Sequence, residues 1–131
     1  MLKITKSVEY ALIAINYMEG HKKDAILSAK KISNACVIPP ELLAKILQKL
    51  SSIDMMNSIK GPKGGYQLND KINDINIYDL IEVIDGPVSL IDCSRSKECN
   101  LLDFCKIKAP LMKVNDKIID TLKSITLDQI K

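Results

Sequence analysis

The sequence predicts a mainly α-helical fold with one small β-hairpin. Three observations support this prediction. Apolar residues recur at helical spacing along most of the 131 residues. A turn rich in glycine and proline, at residues 61–65, separates two short strand-like segments. Two short helical segments directly precede this hairpin, and that order is typical of a winged helix-turn-helix.

The first two helices are marked by capping residues. The first is predicted from about residue 5 to residue 19, with Thr5 or Ser7 as its N-cap and Gly20 at its end. The second begins at Ser28, a favourable N-cap residue, and continues to about Ala35. Together with the next helix, it forms the predicted helix-turn-helix.

The third helix is predicted to begin at Pro39 and Pro40, because proline is tolerated in the first turn of a helix. It continues to about Ser51. Its apolar stripe consists of Leu43, Ile46, Leu47 and Leu50. The residues that lie away from this stripe are Glu41, Lys45, Gln48 and Lys49. In a helix-turn-helix this open face would be the recognition surface.

The hairpin follows the third helix at once, as a wing would. Ile59 and residues 66–68 are predicted to be its strands, and the intervening glycines permit positive φ angles. Lys60 and Lys63 place positive charge at the turn, and the glycines allow close approach to a phosphate. An ordinary hairpin explains the glycines, but it does not explain two lysines beside them.

Positive charge is concentrated in this part of the chain. Residues 28–63 contain six lysines and two acidic residues, a balance of +4 in a protein of net charge +3. A basic segment of this kind favours a nucleic-acid partner only in combination with a suitable fold, since a solvated lysine face is the more common explanation.

A fourth helix is predicted at residues 77–84, ended by Gly86 and Pro87, and a long amphipathic helix at about 110–124. The apolar stripe of the long helix is narrow and consists of Leu111, Val114, Ile118, Leu122 and Ile125. Such a stripe can pack on its own domain or form a dimer seam. Dimerisation is favoured, because winged helices usually bind two half-sites about 34 Å apart.

Composition narrows the class of protein. Hydrophobic residues make up 47% and charged residues 27%, as in globular domains, and the few aromatics predict an aliphatic core. The sequence has no apolar run long enough to span a bilayer and no signal-peptide pattern near its start, which predicts a cytoplasmic location. One histidine and no Ser-His-Asp set, Walker loop or CxxC motif argue against an enzyme.

Three cysteines follow the fourth helix at equal intervals: Cys93, Cys99 and Cys105. Three thiolates in one short segment suit a soft metal centre that lacks one protein ligand. Zinc is an alternative, although structural zinc sites usually have four protein ligands in closer pairs. A thiol switch is another, since neighbouring cationic residues can lower a cysteine pKa.

Five segments together resemble the Rrf2 family of bacterial winged-helix regulators, which includes iron–sulfur sensors of the IscR and NsrR types. They are Glu-Tyr-Ala-Leu at 9–12, Ile-Lys-Gly-Pro-Lys-Gly-Gly-Tyr-Gln-Leu at 59–68, Ile-Asp-Gly-Pro at 84–87, the three cysteines, and Ile-Thr-Leu at 125–127. The resemblance covers essentially the whole chain. It implies a homodimer that binds promoter DNA under the control of an iron–sulfur cluster sensing iron, redox state or nitric oxide.

The resemblance also implies the cluster ligands. Cys93, Cys99 and Cys105 would hold the cluster. Lys108 stands where members with a 2Fe–2S cluster typically have a histidine, so a 4Fe–4S cluster is favoured. Glu9 matches an acidic residue that completes the cluster from the other subunit in some relatives; its alternative role is a salt bridge to a nearby lysine. Cys36 is expected to be a small buried hydrophobe, and His21 a surface residue.

The expected DNA-contacting residues lie on the first helix, the helix-turn-helix and the wing. They are Lys6, Ser28, Pro39, Pro40, Glu41, Ala44, Lys45, Lys49, Lys60, Pro62, Lys63, Gly64 and Gly65. Ala44 stands where some relatives have a glutamate, and Lys60 replaces the usual arginine, so no operator sequence can be transferred.

The expected organisation is a winged helix at 1–85, a cluster-binding segment at 86–108, and a dimerisation helix with its tail at 109–131. The alternative function is a cluster-free or zinc-bound repressor of the same fold that responds to a metabolite or partner protein.

Overall fold

Five α-helices and one β-hairpin follow one another in a computed structural model that describes residues 4–21, 25–88 and 108–130. The elements are α1 (Lys6–Glu19), α2 (Ala29–Cys36), α3 (Pro40–Ser52), β1 (Met56–Ile59), β2 (Gly65–Leu68), α4 (Ile77–Asp85) and α5 (Lys108–Ser124). Short 3₁₀ helices occur at Asp70–Asp74 and Leu127–Ile130. The predicted mainly α-helical fold with a hairpin wing is confirmed.

Three of the helices begin at side-chain caps. The hydroxyls of Thr5 and Ser28 accept hydrogen bonds from the amides three residues later, at 3.3 and 3.1 Å. The amide oxygen of Asn76 accepts from the Asp79 N–H at 2.8 Å. Each cap satisfies an amide that the helix itself leaves unpaired. The predicted starts of α1 and α2 are therefore confirmed.

The core is aliphatic and is built mainly from α1, α3 and α4. The predicted stripe of α3 is wholly buried, with Leu43, Leu47 and Leu50 at 0% exposure. Ala11 and Ala14 of α1 are equally buried, and their small side chains let neighbouring helices approach closely.

The hairpin also pairs with one residue outside it, Leu27, through an isolated antiparallel β-bridge. β1 and β2 pair antiparallel, with Met56 opposite Leu68 and Ile59 opposite Gly65. On the other side of β2, the amides of Leu27 and Tyr66 each donate to the other residue's carbonyl, at 2.9 and 2.8 Å. This pairing fixes the wing to the chain before α2. The sequence did not predict it, because a single residue pair has no periodicity.

The end of the chain returns to the core. The Ile77 amide donates to the Ile125 carbonyl and the Leu127 amide to the Ile75 carbonyl, both at 2.9 Å. Leu127 is buried, at 4% exposure. The segment that follows α5 is thus part of the packing of the winged helix. None of the helices in the described ranges combines the length and apolar content that a bilayer-spanning segment requires.

Candidate DNA interface and cysteine segment

The first turn of α3 is open to solvent. Pro39, Pro40, Glu41 and Lys45 are exposed, whereas Ala44 is half-buried. Pro39 provides no side-chain hydrogen bond to cap the helix. The expected recognition face is therefore accessible from the N-terminal end of α3, with apolar side chains at its tip and a lysine one turn further along.

The turn between α2 and α3 is fixed by hydrogen bonds. The Ser33 hydroxyl donates to the Ile38 carbonyl at 2.6 Å, and the Ile38 amide donates to the Ser33 carbonyl at 3.1 Å. Ile38 is buried, and Val37 between them adopts the left-handed conformation. Cys36 packs against the core but is only half-buried, less than expected of a buried hydrophobe, and this burial raises the pKa of its thiol.

The tip of the wing is exposed over Lys60, Gly61, Pro62 and Lys63. Gly61 has a φ of 109°, and its carbonyl accepts from the Gly64 amide at 2.9 Å. This φ lies in a region that non-glycine residues rarely adopt. The turn thus directs two lysines outward from the end of the hairpin.

Gly64 and Gly65 have reasons within the protein to be glycine. A Cβ at Gly64 would overlap the Ile59 carbonyl oxygen, and one at Gly65 would overlap the Leu27 carbonyl oxygen. The sequence interpretation assigned both residues to DNA contact. The structure shows that close backbone approach already requires them, within the wing at Gly64 and between the wing and the chain before α2 at Gly65.

Lys49 lies on the exposed side of α3, but its ammonium contacts the protein. Its Nζ donates to the Ile84 carbonyl at 2.9 Å, in the last turn of α4. The next residue, Asp85, accepts a hydrogen bond from the Thr5 hydroxyl at 2.5 Å. The end of α4 is consequently connected to both α3 and α1. Cationic groups are favourable at this end of a helix.

Glu9 forms an ion pair with Lys6 on the first turn of α1. The Lys6 Nζ and a Glu9 carboxylate oxygen are 3.0 Å apart, and the side chains are 77% and 44% exposed. The pKa of Lys6 is raised because Glu9 accepts its hydrogen bond and places a negative charge beside it. Within one chain, Glu9 therefore forms a salt bridge, which was the alternative to its expected role as a cluster ligand. Its carboxylate is still accessible.

Cys93, Cys99 and Cys105 lie outside the described residues, as does the side chain of Lys108. Within 4–21, 25–88 and 108–130, no three His, Cys, Asp or Glu side chains are placed to hold a metal ion. The half-buried ring of His21 lies 4.5 Å from the Tyr17 ring, centroid to centroid, and its Nδ1 is 2.8 Å from the Tyr17 carbonyl. These contacts give His21 a local structural role.

The predicted amphipathic helix α5 leaves part of its apolar stripe uncovered. Val114 is 48% exposed, and Leu111, Ile118 and Leu122 are half-buried. Ile118 and Leu122 line an apolar groove of about 260 Å³ between α5, α4 and the start of α1. Within the described residues, this part of the apolar stripe of α5 is therefore accessible.

A helix-turn-helix followed by a two-stranded wing places the chain among the winged-helix proteins. The family model for Rrf2, described as an iron-dependent transcriptional regulator, matches residues 4–131. The chain belongs to the Rrf2 family and is a transcriptional regulator. Because members of this family are regulators rather than enzymes, the expectation of a non-enzyme is confirmed.

Individual relatives agree with this assignment. CymR, the global cysteine regulator of B. subtilis, has a solved structure that covers 99% of this chain and 96% of its own, with 25% identity and a TM-score of 0.70. T. potens IscR covers 98% of this chain and 85% of its own, also with 25% identity and a TM-score of 0.70. Protein aau3 of Rhizobium meliloti is 26% identical over 133 residues, covering 98% of this chain and 84% of its own.

Proposed function

We propose that this regulator is a cytoplasmic homodimer that binds promoter DNA through α3 and the wing, and that an iron–sulfur cluster controls its operator affinity. The observation that carries the proposal is the exposed face of α3, with Lys45, beside a wing tip that presents Lys60 and Lys63. In an Rrf2 chain this arrangement supports contact of one helix with the major groove and of the wing with the adjacent backbone.

The proposed contacts divide by chemistry. Glu41, Ala44 and Lys45, with Pro39 and Pro40, would face base edges in the major groove. Those near phosphates would be Lys6, Ser28, Lys49, Lys60, Pro62, Lys63, Gly64 and Gly65. Because Lys49 hydrogen-bonds to α4, it would contribute less to DNA binding than Lys45 does. Lysine is a point charge, so the phosphate contacts would position the protein without specifying sequence.

The donor set of the cysteine segment suits an iron–sulfur cluster. Cys93, Cys99 and Cys105 would supply thiolates, and the accessible carboxylate of Glu9, from the second subunit, would be the fourth ligand. A 4Fe–4S cluster is favoured over 2Fe–2S because Lys108 occupies the histidine position of the resemblance. When bound, such a cluster supplies a centre whose state depends on iron, oxidants or nitric oxide.

The end of α4 supports a route from this segment to the DNA-binding surface. Asp85 precedes Cys93 by eight residues and accepts the Thr5 hydroxyl, while the Ile84 carbonyl accepts Lys49 of α3. A change in the segment after α4 would therefore act on α1 and on the recognition helix together. A coupling free energy of about 1–3 kcal/mol would change occupancy of the operator substantially.

A cluster-free or zinc-bound repressor of the same fold is the second candidate. Two observations favour it: Glu9 already pairs with Lys6, and one relative is a cysteine regulator. In this alternative the DNA-binding surface is unchanged, and a metabolite or partner protein supplies the signal.

Anaerobic purification, followed by DNA binding before and after cluster removal, tests the proposal. We expect coloured protein with stoichiometric iron and sulfide, and an operator affinity that changes when they are removed. Glu9→Ala should alter the absorption spectrum, whereas Lys6→Ala, which removes the ion pair but keeps the carboxylate, should not. Colourless protein that still binds its operator would favour the second candidate.

The DNA-binding surface is tested in the same assay. Changing Lys45, Lys60 and Lys63 together to alanine should weaken binding and lower the slope of log affinity against log salt by about one unit per lost phosphate contact. An unchanged affinity and slope would exclude the proposed surface.

A further inference from the structure

We propose that Val37 is a specificity-determining residue of the DNA-binding surface, whose side chain contacts the 5-methyl group of a thymine in the major groove. The inference rests on the proposed DNA binding and adds one base contact to it. It is independent of the cluster.

The backbone at Val37 is unfavourable for this residue type. Its φ of 56° and ψ of 47° lie in the left-handed region. β-branched side chains rarely adopt this region, whereas glycine and asparagine do so readily. The turn imposes the conformation, because Ile38 is buried and Ser33 makes two hydrogen bonds to its backbone. A glycine at position 37 would fit the same turn with less strain.

Packing within the chain does not account for the valine either. Its side chain is 85% exposed, more than any other large hydrophobic side chain in the described ranges. Val37 therefore combines an unfavourable backbone conformation with almost no burial. Strained residues of this kind are concentrated at functional sites.

The position of Val37 indicates what it contacts. It precedes the first residue of α3 by three positions and lies beside the exposed Pro39 and Pro40. Residues 36–40 are Cys-Val-Ile-Pro-Pro, so this tip has no side chain that hydrogen-bonds strongly to a base. In the major groove, the apolar group that distinguishes one base from the others is the thymine methyl. The structure thus favours thymine next to the tip of the recognition helix.

The test replaces single thymines by deoxyuridine, which removes only the methyl group. The probe is the tightest-binding duplex recovered from random-sequence DNA by in vitro selection with the full-length protein. For the wild type, we expect one symmetric pair of replacements to weaken binding by about 15-fold, because each of the two methyl groups removed contributes about fourfold. Val37→Gly should weaken binding to the thymine duplex similarly and be insensitive to the replacement.

Thermal unfolding gives an independent readout. Val37→Gly should raise the Tm by about 3 °C, because it relieves the left-handed strain. Val37→Ala retains most of the strain, so it should lose the thymine preference without that rise. Loss of affinity combined with a higher Tm cannot come from a merely damaged fold.

Two outcomes would overturn the inference: equal sensitivity of wild type and Val37→Gly to deoxyuridine at every position, or a lower Tm for Val37→Gly. The first would assign the exposed valine to a protein partner instead of DNA. Wild-type protein that binds no duplex at all would instead contradict the proposed function, so the two failures are distinguishable.

Discussion

The helices α3 and α5 are both amphipathic, but in the part of the chain that the structure describes the apolar stripe of α3 is completely buried and that of α5 is not. Leu43, Leu47 and Leu50 of α3 are fully buried. In α5 the buried side chain is Asn115, and the apolar Val114 is 48% exposed. The open face of α3 is mostly polar, whereas the partly uncovered stripe of α5 is apolar. This difference supports the proposal that α3 faces DNA and that α5 faces a second subunit.

The largest expected effect comes from charging the open face of α5. Val114→Glu should convert the proposed dimer into a folded monomer, because a carboxylate would be buried in an apolar seam. Loss of simultaneous binding to two half-sites should lower operator affinity by about 100-fold. Light scattering and DNA titration measure the two effects.

Lys113→Glu is the control, since it places the same carboxylate at a neighbouring exposed position and changes the net charge by two units instead of one. It should leave the oligomeric state unchanged. A dimeric Val114→Glu variant with normal affinity would show that this face of α5 is not the subunit interface.

The second-largest expected effect is a loss of stability where the wing pairs with the chain before α2. Gly65→Ala places a Cβ against the Leu27 carbonyl oxygen and should break the backbone pairing of Leu27 with Tyr66. We expect it to lower the free energy of unfolding by about 2 kcal/mol in chemical denaturation. Gly20→Ala is the control, because Gly20 has a helical φ and its Cβ would make only ordinary contacts. Equal stabilities of the two variants would contradict the close approach at Gly65.

The sequence predicted the elements whose signals are local. The apolar stripe of α3, the caps at Thr5 and Ser28, and the glycine-rich wing all follow from spacing and residue type within a few positions. The pairing of Leu27 with Tyr66 and that of Leu127 with Ile75 were missed. Each joins distant residues through backbone atoms, which side-chain patterns do not encode.

The same distinction applies to the candidate site. Exposure of Lys45, Lys60 and Lys63 follows from periodicity and turn chemistry, so it was predictable. The left-handed conformation of Val37 was not, because a valine is an improbable signal for it and the constraint comes from Ser33 and Ile38. A residue whose type is unfavourable for its backbone conformation can be identified only when the backbone is known.

The smallest expected effect is a difference in stability and DNA binding between variants of two lysines in α3. Lys49 donates to the Ile84 carbonyl at the end of α4, whereas Lys45 lies on the exposed recognition face. Lys49→Met should lower the free energy of unfolding by about 1 kcal/mol, the value of one partly exposed charged hydrogen bond at a helix C-terminus. Lys45→Met should leave stability within about 0.5 kcal/mol of the wild type and weaken DNA binding more than Lys49→Met does.

Denaturation and DNA titration of both variants show whether the end of α4 acts on the recognition helix α3 through Lys49. If it does, removing the proposed cluster should change operator affinity less in Lys49→Met than in the wild type, because α3 has lost its hydrogen bond to the helix that precedes the cysteine segment. Lys49→Arg should restore part of that response, since a guanidinium can still donate to the Ile84 carbonyl. An identical response in all three proteins would leave α1, through Thr5 and Asp85, as the connection to test.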